Sequence, residues 1–82
     1  MRTHELKTWP EYFSAVLDGS KPFEWRSDDQ VRHFAVGDSL YLREWDPVAK
    51  EYTGRSCVRL VTYVLRNAFG IPAGFVVMGL RG

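Results

Sequence analysis

Eighty-two residues, 45% of them hydrophobic and 26% charged, suffice for one small globular domain and leave too little chain for a second core. Eleven Lys and Arg against ten Asp and Glu give a formal charge of +1, which excludes a field that would bind nucleic acid or acidic membrane indiscriminately, so any anion site must be local. One cysteine, Cys57, rules out an internal disulfide, and with no C-x-x-C or paired-histidine spacing neither a metal nor a cofactor is expected.

In chain order, residues 3–7 read as a short first strand. The N-terminal residues alternate polar with apolar and carry a carboxylate, unlike a signal peptide, and no apolar run approaches the ~20 residues that span a bilayer. A cytoplasmic protein away from membranes is expected. Trp9, Tyr12, Phe13, Val16 and Leu17 follow the i, i+3, i+4, i+7, i+8 pattern of one apolar face and predict a helix over 9–18. Thr8 and Glu11 have capping-box spacing, Pro10 suits the first turn, and Gly19 is placed to end the helix left-handed. A second strand is expected from Lys21 to Arg26, with Phe23 and Trp25 facing the core and Glu24 and Arg26 facing away.

A polar loop, Ser27 to Phe34, leads through the turn signal Val36-Gly37-Asp38 to a third strand, Ser39 to Trp45. Asp46 to Gly54 reads as a hairpin connection, Arg55 to Leu65 as a long β-branched strand, Asn67 to Gly74 as a loop, and Phe75 to Leu80 as the last strand. The class is mixed α+β, mainly β: a small barrel of five to six strands with one early helix. Without a disulfide or metal, its core is expected to rest on Trp9, Tyr12, Phe13, Phe23, Trp25, Trp45, Phe69 and Phe75.

The segment after the helix is the best place for chemistry. Lys21, Glu24 and Arg26 in one cleft would offer an ammonium and a guanidinium fork to phosphate, and a carboxylate that accepts from the exocyclic amine of a base. Lys7, leaving the first strand near the helix start, would add a cation. The competing account is a solvated salt-bridge strip worth at most ~1 kcal/mol per pair. On the third strand, Tyr41, Arg43 and Trp45 share the face opposite Leu40, Leu42 and Glu44. That face is either a stripe on which single-stranded bases stack or a place where Trp45 folds under the hairpin as a lid. Arg55, Arg59 and Arg66 either extend a basic surface or solubilise an edge strand. His4 is expected to be a packed side chain, His33 a solvated loop residue, and Cys57 an inert thiol.

Four stretches carry a resemblance: His4-Glu5-Leu6-Lys7; Gly19-Ser20-Lys21-Pro22-Phe23-Glu24-Trp25-Arg26; Phe34-Ala35-Val36-Gly37-Asp38-Ser39-Leu40; and Leu42-Arg43-Glu44-Trp45-Asp46-Pro47. Together with Glu51-Tyr52-Thr53-Gly54-Arg55, their order resembles the ASCH family, a branch of the PUA-like barrels, and most of all its compact bacterial and phage domains of unknown function. The resemblance runs from about residue 4 to about residue 80. It implies a PUA-like fold and RNA, single-stranded nucleic acid or a modified nucleoside as the partner. Some members of that family hydrolyse an acyl group from a modified cytidine with a lysine after the first helix, a threonine three residues on, and a distant glutamate. Here Lys21 matches the lysine, Glu24 stands at the threonine position, Pro22 replaces a further family threonine, and the 67–74 loop holds no acid.

The expected function is therefore an RNA- or nucleotide-binding module using Lys7, Lys21, Glu24 and Arg26, with Arg43 and Trp45 as further nucleic-acid contacts. The alternative is a small hydrolase of amidohydrolase or ribonuclease type, with Lys21 steadying an oxyanion and Glu24 as general base. A second carboxylate or a hydroxyl in the cleft would favour it. A third possibility, a phage or mobile-element adaptor, requires an exposed aromatic patch around Trp45 and Tyr52.

Overall fold

A computed structural model describes residues 1–28, 33–67 and 70–82. The elements are β1 (Thr3–Thr8), α1 (Pro10–Asp18), β2 (Phe23–Ser27), β3 (Ser39–Asp46), β4 (Glu51–Leu65) and β5 (Phe75–Arg81). The five strands form one sheet in the order β1-β3-β4-β5-β2, with β1 parallel to β3 and the other pairs antiparallel. The sheet curls like part of a barrel, so that its edge strands approach: Arg26 Nη2 on β2 donates to the Lys7 carbonyl on β1 at 3.1 Å. In the chain, α1 connects these same two edges.

The alternation of β1 points His4, Leu6 and Thr8 inward, and parallel pairing sets Leu6 beside Leu42. The core comprises Leu6, Leu40, Leu42, Val61, Val76 and Met78 from the sheet, Phe13 and Val16 from α1, and Phe34 from the loop before β3. It is an aliphatic core with two phenylalanines, not the aromatic one expected. Trp9, Tyr12, Phe23, Trp25 and Phe75 are all exposed, Trp45 is half-buried, and Phe69 lies outside the described residues. The reason is width: the apolar positions of α1 together with its N-cap residue Trp9 cover a broader arc than the helix buries against the sheet, so only Phe13 and Val16 go under.

Three further expectations are corrected. The β2 faces are reversed: pairing with β5 sets Glu24 opposite Met78 and Arg26 opposite Val76 on the inner side, which turns Phe23 and Trp25 outward. Thr8 does not cap the helix; it remains on β1, and the extended residue at the N-cap is Trp9, with no side-chain cap. The hairpin connection shrinks to residues 47–50, because Asp46 Oδ1 accepts from the Val48 and Ala49 amides at 2.9 and 3.1 Å and folds a tight turn. Residues 51–54 thereby join β4, pairing Trp45 with Tyr52 across an irregularity in the register. The helix does end at Gly19, whose φ of 85° is left-handed.

A buried polar joint ties the sheet to the 33–38 loop. His4 Nε2 and Asp38 Oδ2 are hydrogen-bonded at 2.8 Å, and the His4 ring packs on Phe34 with centroids 4.5 Å apart. Asp38 also accepts from the amides of Arg2 and Ala35. His4 is thus a packed side chain. Arg66, just past the end of β4, donates to Asp28 at 2.8 Å and to the Phe34 carbonyl at 2.6 Å, which makes it a clamp between strand end and loop.

Candidate functional site

Where the two sheet edges meet, a cavity of about 540 Å³ is lined by Lys7, Thr8, Trp9, Tyr12, Lys21, Glu24, Trp25 and Arg26. Glu24 forms its floor. The carboxylate is 3% exposed, and each oxygen is held by a cation: Lys21 Nζ on Oε1 and Arg26 Nε on Oε2, both at 2.7 Å. Local chain geometry brings the three together. Lys21 lies just before β2, its amide tied to the Ala15 carbonyl of α1, while Glu24 and Arg26 are two apart on the inner face.

The polar surface that this triplet presents is cationic. Lys21 and Arg26 side chains are 17% and 24% exposed, several-fold more than the carboxylate between them. Lys21 spends two of its three N–H groups, on Glu24 and on the Phe23 carbonyl at 3.0 Å. Arg26 directs Nε to Glu24 and Nη2 to the Lys7 carbonyl and Thr8 Oγ1, leaving the Nη1 hydrogens without a partner among the described residues. A ligand therefore meets spare donors, whereas the acceptor is sequestered. Glu24, expected to receive a base amine, has both carboxylate oxygens engaged by Lys21 and Arg26. Trp9, Tyr12 and Trp25 supply aromatic lining, and the Lys21 ammonium lies 5.8 Å from the Tyr12 ring centre.

Lys7 enters differently from expected. Its carbonyl receives Arg26, but its ammonium lies 3.8 Å over the Trp45 ring, on the outer face of the sheet. Trp45 meets Tyr52 edge-on at 5.0 Å, Arg43 stacks 3.7 Å above Tyr52, and Arg43 pairs with Glu5 at 3.1 Å. Arg43 and Trp45 thus belong to an outer cation–π ladder and do not join the cleft. Each ring of the Trp45–Tyr52 pair has a cation over it, with Trp45 half-buried and Tyr52 36% exposed.

Thr8, Trp9, Tyr12 and Trp25 are the cleft residues that sequence reasoning missed, having assigned them to a cap and to the core. The signal was present in the excess width of the apolar helix face. A second buried carboxylate, Glu44, pairs in register with Thr8 and accepts from Thr53 Oγ1 at 2.7 Å, with Arg55 at 3.6 Å, but it does not line the cavity. Thr8 Oγ1 accepts from Arg26 at 3.3 Å and donates to the Leu6 carbonyl at 3.5 Å. His33 is exposed beside Asp28, at 3.8 Å, and Arg32 lies outside the described residues. Cys57 is half-buried against the core, and burial raises its thiol pKa, which suits an inert side chain. Among the described residues no three His, Cys, Asp or Glu side chains cluster as metal ligands, and no helix is long and apolar enough to cross a membrane.

Residues 3–80 match the model of a family described as "Domain of unknown function (DUF3850)". The chain belongs to the DUF3850 family. It is also 40% identical over 63 residues to a protein of Escherichia phage P2, named "Uncharacterized 12.9 kDa protein in GpA 3'region". That match covers 77% of this chain and 54% of the relative, so the chain spans about half the length of this phage relative. The cleft residues all fall within the DUF3850 match.

Proposed function

We propose that this DUF3850 chain is a PUA-like module of the ASCH kind that binds nucleotides, single-stranded RNA or a modified nucleoside in the Lys21–Glu24–Arg26 cleft, and that it acts in the cytoplasm. The observation that carries this reading is the buried carboxylate clamping two cations at 2.7 Å on the floor of an aromatic-lined cavity. Aromatic walls take the flat face of a base, a contact worth about 1–3 kcal/mol per base. The spare donors of Lys21 and Arg26 take acceptor oxygens, either a base carbonyl or a phosphate. A net charge of +1 confines the attraction to this local site, so the salt dependence of binding is shallow.

Binding is favoured over turnover by the state of the two groups that hydrolysis would need. Glu24 has a cation on each oxygen, so taking a proton from water would require breaking one of those bonds. The cleft does hold a hydroxyl, on Thr8, but its partners are Arg26 and a carbonyl, with no base beside it. The test is fluorescence anisotropy of short labelled single-stranded RNA and of nucleotides at low salt. Lys21→Ala and Arg26→Ala are each expected to weaken affinity about tenfold, the loss of a charge-assisted hydrogen bond. Absence of binding by the wild-type protein at low salt contradicts the reading. Release of acid from acylated cytidine that disappears in Glu24→Gln would establish hydrolysis in its place.

A further inference from the structure

The hydrogen-bonding groups of the cleft are unevenly used, and the imbalance specifies what can lie against them. Its acceptors are taken. Each Glu24 oxygen holds a cation at 2.7 Å, the Lys7 carbonyl receives Arg26, and Thr8 Oγ1, on a residue 2% exposed, lies between Arg26 and the Leu6 carbonyl. Donors are in surplus: Lys21 keeps one N–H and Arg26 keeps its Nη1 hydrogens, without partners among the described residues, and the indoles of Trp9 and Trp25 can only donate. The Tyr12 hydroxyl can serve either way.

Resting on the reading of the cleft as a nucleotide site, we propose that the base it selects is guanine, recognised through O6 and N7. These two atoms are adjacent acceptors on one edge of the ring, and N–H donors of Arg or Lys are their commonest specific partners. Lys21 and Arg26 are set side by side for such an edge, because the two oxygens of one carboxylate hold them both. Adenine has an amine where guanine has O6, so it brings a donor to donors and leaves them unpaired once the base excludes water. Cytosine also has adjacent acceptors, O2 and N3, but only a single ring to lay against the walls formed by Trp9, Tyr12 and Trp25. Uracil has an N–H between its carbonyls. A phosphate is the poorer occupant of the floor. Two cations and one carboxylate leave a single positive charge there, short of the roughly −1.5 to −2 of a phosphate monoester, and the faces of aromatic rings carry negative potential.

Isothermal titration calorimetry on the full chain at low salt tests this with the monophosphates of guanosine, inosine, adenosine and cytidine, and with guanosine itself. The inosine and adenosine monophosphates share sugar, phosphate and N7, and on this edge differ only in a carbonyl or an amine at position 6. Inosine monophosphate is expected to bind about tenfold tighter than adenosine monophosphate, within the worth of one bidentate base contact. Guanosine without its phosphate is expected to bind comparably to guanosine monophosphate. Lys21→Ala and Arg26→Lys each remove most of the inosine-over-adenosine preference, and two positions keep the comparison valid if one variant loses its folded circular dichroism. Equal binding of the inosine and adenosine monophosphates, tighter binding of cytidine monophosphate, or loss of binding when guanosine lacks its phosphate overturns the guanine assignment while leaving the cleft a nucleotide site. A preference that persists in both folded variants also overturns it. Absence of binding by all five ligands and by single-stranded RNA overturns the nucleotide reading itself, and the guanine assignment with it.

Discussion

Glu24 is the residue on which the cleft turns. A carboxylate this deeply buried is tolerated only because each oxygen meets a cation, and the cations keep their aim only because the carboxylate lies between them. Glu24→Gln leaves Lys21 and Arg26 facing each other with one neutral acceptor. A loss of about 2 kcal/mol of stability is expected in urea unfolding, close to the cost of leaving a charged partner unsatisfied. Arg26→Ala removes the links to Glu24, Lys7 and Thr8 together and should cost a similar amount, whereas the exposed Arg43–Glu5 pair is worth under about 1 kcal/mol. Two aspartates set the acid limit. Burial alone would raise the Asp38 carboxyl, but hydrogen bonds from His4 and the Arg2 and Ala35 amides hold it below the ordinary value. Burial is likewise outweighed at Asp28 by Arg66 and the Phe34 amide. Folded-state values below the unfolded ones mean that the native protein binds fewer protons. Their stabilisation is complete above the ordinary aspartate value of about 3.9 and is lost as pH falls through the lower folded-state values. Melting temperature should drop steeply in that acid window, and Asp38→Asn should flatten the drop.

At the scale of elements, α1 does two jobs with two faces. Phe13 and Val16 anchor it, and Trp9 and Tyr12 then stand at the cleft. Phe13→Ala should cost about 3–5 kcal/mol as a core cavity and weaken ligand binding as the aromatic wall loosens, read by urea unfolding and by RNA anisotropy. Gly19→Ala should cost about 1 kcal/mol from the left-handed φ alone, because nothing lies within 4 Å of the added methyl. The helix, its glycine stop and all five strands are legible in the sequence because periodicity and turn residues are local signals. The inner face of β2 is not. Alternation separates Phe23 and Trp25 from Glu24 and Arg26 but cannot say which pair goes inside, and hydrophobicity gives the wrong answer there. Pairing with Met78 and Val76 decides it, together with ion pairs reaching from Lys21. The same non-local effect hides the cleft role of Thr8, whose partner Arg26 is 18 residues away.

For the whole molecule, the decisive feature is the approach of the two sheet edges. The cleft lies along that seam and on the inner side, while the Lys7–Trp45–Tyr52–Arg43 ladder lies on the outer side. Two of the three tryptophans, Trp9 and Trp25, line the cavity, and Trp45 belongs to the ladder, so the indole N–H signals report separately on the two surfaces. Titrating short single-stranded RNA into isotopically labelled protein at fixed concentration, with signals assigned through Trp45→Phe, therefore tests the location of binding directly. The account predicts that the Trp9 and Trp25 indoles shift with saturation while Trp45 stays in place, and that Lys21→Ala suppresses the shifts. Movement of Trp45 with Trp9 and Trp25 unchanged would contradict it.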